Sequence, residues 1–223
     1  MKLVHPEISG QVMADTKKPC LWVIESPSRL SKVLQELIMQ VDGREGNFVL
    51  SEKEKECNIS KCVELIVNPF TVNINDKKIL TRLYSELSEL AYGENMYLLT
   101  QEVLAKLQSY VFKIEQESAY VLGMDENIDI SAVWKLLGVK FENYADDFFE
   151  NIIQYVKVIT EVLKKKLIVF VNIGSYLTET QMDALIKVSI YEEIPMLFIE
   201  NMERTFSKEV TRYIIDSDEC EIY

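Results

Sequence analysis

Two carboxylates follow apolar runs in this chain: Glu25 after Leu21–Ile24, and Glu200 after Leu197–Ile199. Carboxylates paired at strand ends can bind a metal or serve as acid and base; they can equally be solvated strand ends salt-bridged to Lys or Arg. Ser175, beside Gly174, has no histidine to activate it, since His5 is the only one in the chain. It reads as a turn residue. A second acidic group comprises Glu115, Glu117, Asp125, Glu126 and Asp129. It concentrates oxygen ligands of the kind a hard cation such as calcium takes, without the spacing or glycine of an EF-hand. The alternative is a solvated loop with a helix cap at Asp129. The basic candidates are Lys135, Lys140, Lys157 and the Lys164–Lys166 triplet. They form either a common positive face for phosphates or an ordinary solvated surface.

The elements that position these residues follow from apolar patterning. Leu167–Val171 and Met196–Ile199 are unbroken apolar runs, as strands covered on both faces require, and they predict a parallel sheet. Between them Thr178 and Gln181 have capping-box spacing, opening a helix that buries Met182, Leu185, Ile186 and Ser189. Cys20–Ile24 predicts another strand. Ser26-Pro27 then starts a helix whose stripe runs from Leu30 to Val41. Lys2–His5, Asn47–Leu50 and Cys62–Val67 predict further strands, with a weaker hairpin at Gln11–Met13 and a charged loop over Glu52–Glu56.

From Asp76 helix follows helix: one over Ile79–Ala91, one over Met96–Glu117, one after Asp129 that stops at Gly138, and one from Tyr144 to Lys164. Ser207 predicts a short helix through Tyr213, and Cys220–Tyr223 a last edge strand. The expected organisation is an α/β head interrupted by a helical insertion. Residues 1–75 and 164–223 form the two halves of the head, and 76–163 form the arm.

Such a head invites nucleotide binding at the carboxyl ends of its strands, but the chain has no phosphate loop. The turns Glu25-Ser26-Pro27 and Asn172-Ile173-Gly174-Ser175 lack the glycines that let amides cradle phosphate. Leu167–Val171 resembles a Walker B strand, yet Asn172 stands where the magnesium-shell acid belongs.

Composition narrows the class. A chain of 223 residues allows one sizeable core plus an insertion, and 7 Gly and 5 Pro leave little room for linkers. With no apolar run near membrane length and no signal-like start, it is expected to be soluble and cytoplasmic. The four cysteines form no C-x-x-C motif, which fits a reducing compartment. A net charge of -12 opposes nucleic-acid binding by overall attraction, though not by a locally basic surface.

The run Lys166–Thr178 (K-L-I-V-F-V-N-I-G-S-Y-L-T), the run Trp134–Glu142 (W-K-L-L-G-V-K-F-E) and the order of head, helical insertion and head resemble the small CRISPR-associated accessory protein of type II-A systems. That family acts in spacer acquisition. The resemblance implies a non-enzymatic protein with a degenerate P-loop-like α/β head and a long inserted α-helical arm. It implies a homotetrameric ring stabilised by Ca2+, binding the ends of double-stranded DNA without sequence preference. The integrase complex and the type II effector nuclease are the further partners it implies. Carried over by position, Lys135 and Lys140 match the lysines of the family's L-G-V-K segment, and Lys157 and Lys164 are looser matches for the DNA-facing surface. Glu115, Glu117, Asp125, Glu126 and Asp129 lie where the family places calcium ligands. Two other readings fit the residues alone: a degenerate NTPase or metal-dependent nuclease using Glu25 and Glu200, and an oligomeric protein-interaction module without DNA binding.

Overall fold

Strand parity organises the larger of two units, which comprises Met1–Ile74 and Tyr144–Tyr223. The computed structural model describes residues 1–8, 13, 18–125, 128–204, 207 and 209–222. Its main sheet is built from β2 (Cys20–Ile24), β5 (Val63–Ile66), β6 (Leu167–Val171), β7 (Met196–Glu200), β8 (Thr211–Ile215) and β9 (Glu221–Ile222). Their order is β5-β6-β7-β2-β8-β9, parallel throughout except for β9. Cys20 pairs with Leu197 and Trp22 with Ile199 and Tyr213, so residues of one parity share a face. That face packs with Val33 and Leu37 of α1 (Pro27–Val41), and with Leu3 and Leu50.

Leu3 and Leu50 belong to a separate antiparallel sheet of β1 (Lys2–Val4), β3 (Val49–Glu52) and β4 (Lys55–Cys57), in the order β1-β3-β4. His5 is structural here. Its Nδ1 accepts the Glu7 amide at 3.2 Å, so the ring proton lies on Nε2, which donates to Glu36 at 3.1 Å.

The opposite parity of the main sheet, Leu21, Val23, Ile168, Phe170, Phe198 and Glu200, is buried as well. Phe170 and Phe198 stack at 5.8 Å. On this side lies α6 (Phe148–Val162), whose Tyr155 hydroxyl donates to Glu64 at 2.8 Å, the residue paired with Ile168. α7 (Glu179–Tyr191) carries the expected capping box and buries Met182, Leu185, Ile186 and Ser189.

The smaller unit, Asn75–Asn143, holds α3 (Lys77–Ala91), α4 (Tyr97–Glu117) and α5 (Ile130–Leu136). One of its core clusters joins Ala91, Leu104 and Ile130, with Ile128, Val133 and Trp134 against them, and Ile79 and Tyr84 of α3 are buried as well. Asn75 closes the unit by exchanging two hydrogen bonds with the Phe141 backbone, at 3.0 and 2.9 Å. Gly138, at φ +64°, ends α5, a left-handed position that glycine occupies without strain.

Several expectations are corrected. The helical insertion, expected over 76–163, ends at Asn143; α6 belongs with the sheet, because seven of its side chains are buried there. Of the helix expected from Ser207 through Tyr213 the described residues show none: Thr211–Ile215 is a strand parallel to β2, burying Tyr213 and Ile215 at alternate positions. Glu52–Glu56 is the tip of the β3–β4 hairpin rather than a loop, turned by Lys53 and Glu54 at φ +49° and +64°. Cys62 ends a one-turn helix, α2 (Ile59–Cys62), and β5 begins after it. Of the Gln11–Met13 hairpin, Gln11 and Val12 lie outside the described residues, while Met13 bridges Leu3 in antiparallel fashion. Tyr223 also lies outside them.

Candidate nucleic-acid interface

α5 exists because Asp129 caps it, its carboxylate accepting the Ser131 amide at 2.9 Å and the Ser131 hydroxyl at 2.5 Å. Those two donors hold the Asp129 carboxyl below its usual range. The helix carries Lys135 in its last turn, where a cation complements the helix dipole. Gly138 then turns the chain to Lys140. Both lysines are exposed, and neither forms an ion pair among the described residues. Lys135 borders a mainly apolar groove of about 520 Å3 whose lining includes Ser85, Tyr92 and the carboxylates Glu89 and Asp129. The Thr81 and Ser88 hydroxyls donate to the Lys77 and Tyr84 carbonyls, so the Lys135 ammonium is the group there that can bind phosphate oxygens, which carry no base information.

The other two candidate lysines belong to the larger unit. Lys157 is exposed on α6 and pairs with Glu192 at 3.3 Å. Lys164 is exposed and left-handed at φ +54°. Its neighbours differ: Lys166 pairs with Glu52 at 2.6 Å, whereas Lys165 is buried and donates to the Ser60 and Val63 carbonyls beside Glu64. The position of Lys165 two residues before the fully buried strand β6 is the only hint the sequence holds that it is structural.

The candidate calcium ligands are dispersed. Glu115 is half-buried and accepts the Leu122 amide at 3.0 Å, Asp129 is spent on its cap, and Glu117 and Asp125 are exposed. Glu126 lies outside the described residues. Among the described residues no three His, Cys, Asp or Glu side chains come together to hold a metal. The described carboxylates of one copy do not by themselves supply the six to eight oxygens that calcium takes.

At the carboxyl ends of the parallel strands the nucleotide positions are occupied by other work. Pro27 removes an amide from the first turn of α1, where phosphate would need donors, and Ser26 Oγ accepts the Arg29 amide. Asn172 is left-handed at φ +52°, and its Oδ1 accepts the Asn201 amide at 3.0 Å, tying the end of β6 to the end of β7. Glu200 is fully buried, accepts the Gly174 amide at 2.9 Å and faces Arg204 Nε at 3.7 Å. Burial pushes its carboxyl up, against the opposing pull of that amide and Arg204. Glu25, by contrast, is exposed. The two carboxylates thus stand in opposite environments, one sealed and one in water.

The family model described as CRISPR-associated protein (Cas_Csn2) matches residues 40–219, well over half of the chain. Two curated relatives are each named CRISPR-associated protein Csn2. The one from Streptococcus agalactiae is 27% identical over 186 residues, covering 80% of this chain and 79% of the relative. The one from Enterococcus faecalis is 24% identical over 173 residues, covering 75% and 76%. The matched span takes in the Lys135–Lys140 turn, the buried strand β6 and the Asn172–Asn201 tie, and the chain belongs to the Csn2 family of CRISPR-associated proteins.

Proposed function

We propose that this protein is a non-catalytic scaffold of CRISPR spacer acquisition, a homotetrameric ring that binds the ends of double-stranded DNA without reading their sequence. The observation that carries the reading is the surface of α4. This helix of 21 residues buries only Thr100 and Leu104, while Leu98, Leu99, Tyr110, Phe112 and Ile114 stand 81%, 53%, 64%, 53% and 48% exposed. An exposed apolar surface of this extent, spread around the helix, is what self-association covers. Lys135 and Lys140 supply the phosphate contacts.

The head is a degenerate P-loop-like support, its phosphate positions given over to Pro27 and to the Asn172–Asn201 tie. Since each copy carries -12, the wall facing the duplex is locally basic and the acidic excess lies elsewhere. Calcium, for which one copy's described carboxylates are incomplete, is held in this reading by ligands from more than one copy. The integrase complex and the effector nuclease of the same system are its protein partners. No described helix is long and apolar enough to cross a membrane.

Gel shifts at low salt with calcium test the reading. Retention of blunt linear duplex but not of closed circles, weakening steeply as salt rises, is the expected result. Equal retention of circles, or of neither form, would contradict it. So would turnover of ATP or DNA that Glu200→Ala abolishes.

A further inference from the structure

A mainly apolar groove of about 530 Å3 is lined by residues of α6, of α7 and of the segment before α6, all within the larger unit. Phe149 and Ile153 stand one turn apart on α6, and Ala184 and Val188 one turn apart on α7. All four are half-buried, although the same helices already bury Ile152, Val156, Leu185 and Ile186. An amphipathic helix packed on one core needs only one apolar stripe. Each of these two carries a second, and the second stripes meet at the groove. The charges around it are unequal. Asp146 and Glu150 line the groove and are exposed; the Glu150 carboxylate accepts the Asp146 amide at 2.9 Å, which holds it in place without neutralising it. The cation in the lining, Lys157, is spent on Glu192 at 3.3 Å. The apolar groove therefore has an acidic rim.

We propose that this groove docks a basic amphipathic helix of a partner protein. The walls are two helices, and the shape that interdigitates with two helix surfaces is a third helix. Its apolar side chains, three or four residues apart, seat against Phe149, Ile153 and Val188, and the small side chain of Ala184 leaves room for one of them between its neighbours. Lysine or arginine on its flank faces Asp146 and Glu150. An acidic helix would set like charges against that rim, so the rim selects the sign of the partner as the apolar stripes select its form. The surface uses neither Lys135 nor Lys140, which lie in the smaller unit, so it stands or falls apart from the DNA-end reading.

The full-length protein is titrated, at near-physiological salt, with a fluorescein-labelled synthetic amphipathic helix of leucine and lysine, and with the same pattern written in leucine and glutamate; anisotropy reads the binding. Saturable binding of the lysine helix alone is the expected result. Ala184→Trp fills the groove without changing the charge, and is expected to weaken that binding at least about tenfold, as loss of an anchoring pocket does. Asp146→Asn with Glu150→Gln is expected to weaken it and to flatten its salt dependence. Should Ala184→Trp lose the wild-type circular dichroism, Val188→Arg, at another half-buried position, takes its place. Equal binding by the wild type and Ala184→Trp would overturn the proposal, because the attraction would then belong to a chain of net charge -12 and not to the groove. So would equal binding of the glutamate helix, or no saturable binding of either. A native mass changed by Ala184→Trp would overturn it too, by making another copy of the chain the occupant.

Discussion

The Gly174 amide donates to the Glu200 carboxylate at 2.9 Å, fixing the turn after β6 to the end of β7 through a side chain with no exposed surface. A Cβ at position 174 would stand 3.0 Å from Arg204 Cδ and 3.2 Å from Glu200 Oε2. The carboxylate, sealed in place, has nowhere to retreat. Gly174→Ala is therefore expected to destabilise the protein by about 1–3 kcal/mol, read as a lower urea midpoint with unchanged slope. An unchanged midpoint would show that Arg204 and Glu200 move aside freely.

Glu200 also sets a pH dependence. Its carboxyl lies above the ordinary glutamate value because burial disfavours the charge. Between the ordinary value and the raised one the folded chain holds a proton that the unfolded chain has lost, so stability falls as pH rises through that window. Glu200→Gln, which keeps the shape without the charge, is expected to remove this contribution. Urea titrations of both proteins across the window check it: their stability difference should change with pH in favour of the variant as pH rises. A constant difference would contradict the assignment.

On the DNA side, Lys135 and Lys140 are the two candidate lysines in the smaller unit, and both are exposed without ion pairs among the described residues, whereas Lys157 shares its charge with Glu192. Lys135→Glu with Lys140→Glu is expected to abolish retention of linear duplex without changing the mass of the assembly. Lys157→Ala is expected to weaken retention far less. Filter binding alongside native mass checks both, and full retention by the double variant would remove these lysines from the interface.

Much of the head was legible because buried strands and capped helices leave local signatures. Leu167–Val171 and Met196–Glu200 are strands at the expected positions, and Thr178 and Gln181 make the capping box their spacing predicts. What escaped was carried by alternation or by tertiary context. In Thr211–Ile215 only Tyr213 and Ile215 are buried, a period of two that Ser207 as a helix cap masked. The β3–β4 turn uses Lys53 and Glu54 in left-handed conformations that Asn-Gly would ordinarily announce. At the candidate sites, types and spacing named the exposed lysines. They could not show that Lys165 is buried or that Asp129 is spent on a cap, because those relations exist only once the chain is folded.

The exposed apolar face of α4 implies a disruptive pair. Leu99→Glu with Tyr110→Glu places two charges on a surface that is 53% and 64% exposed in the single chain, so neither change empties a core. The variant is expected to keep its helix content and lose its assembly. Circular dichroism and sedimentation check it; an intact assembly would place the contact elsewhere.

The most direct test of the central claim is the native mass of the wild-type chain, measured with calcium and again after chelation. The account predicts a species of four chains with calcium that loosens when the ion is withdrawn. A single 25.9 kDa chain under both conditions would contradict it, since one copy cannot enclose a duplex.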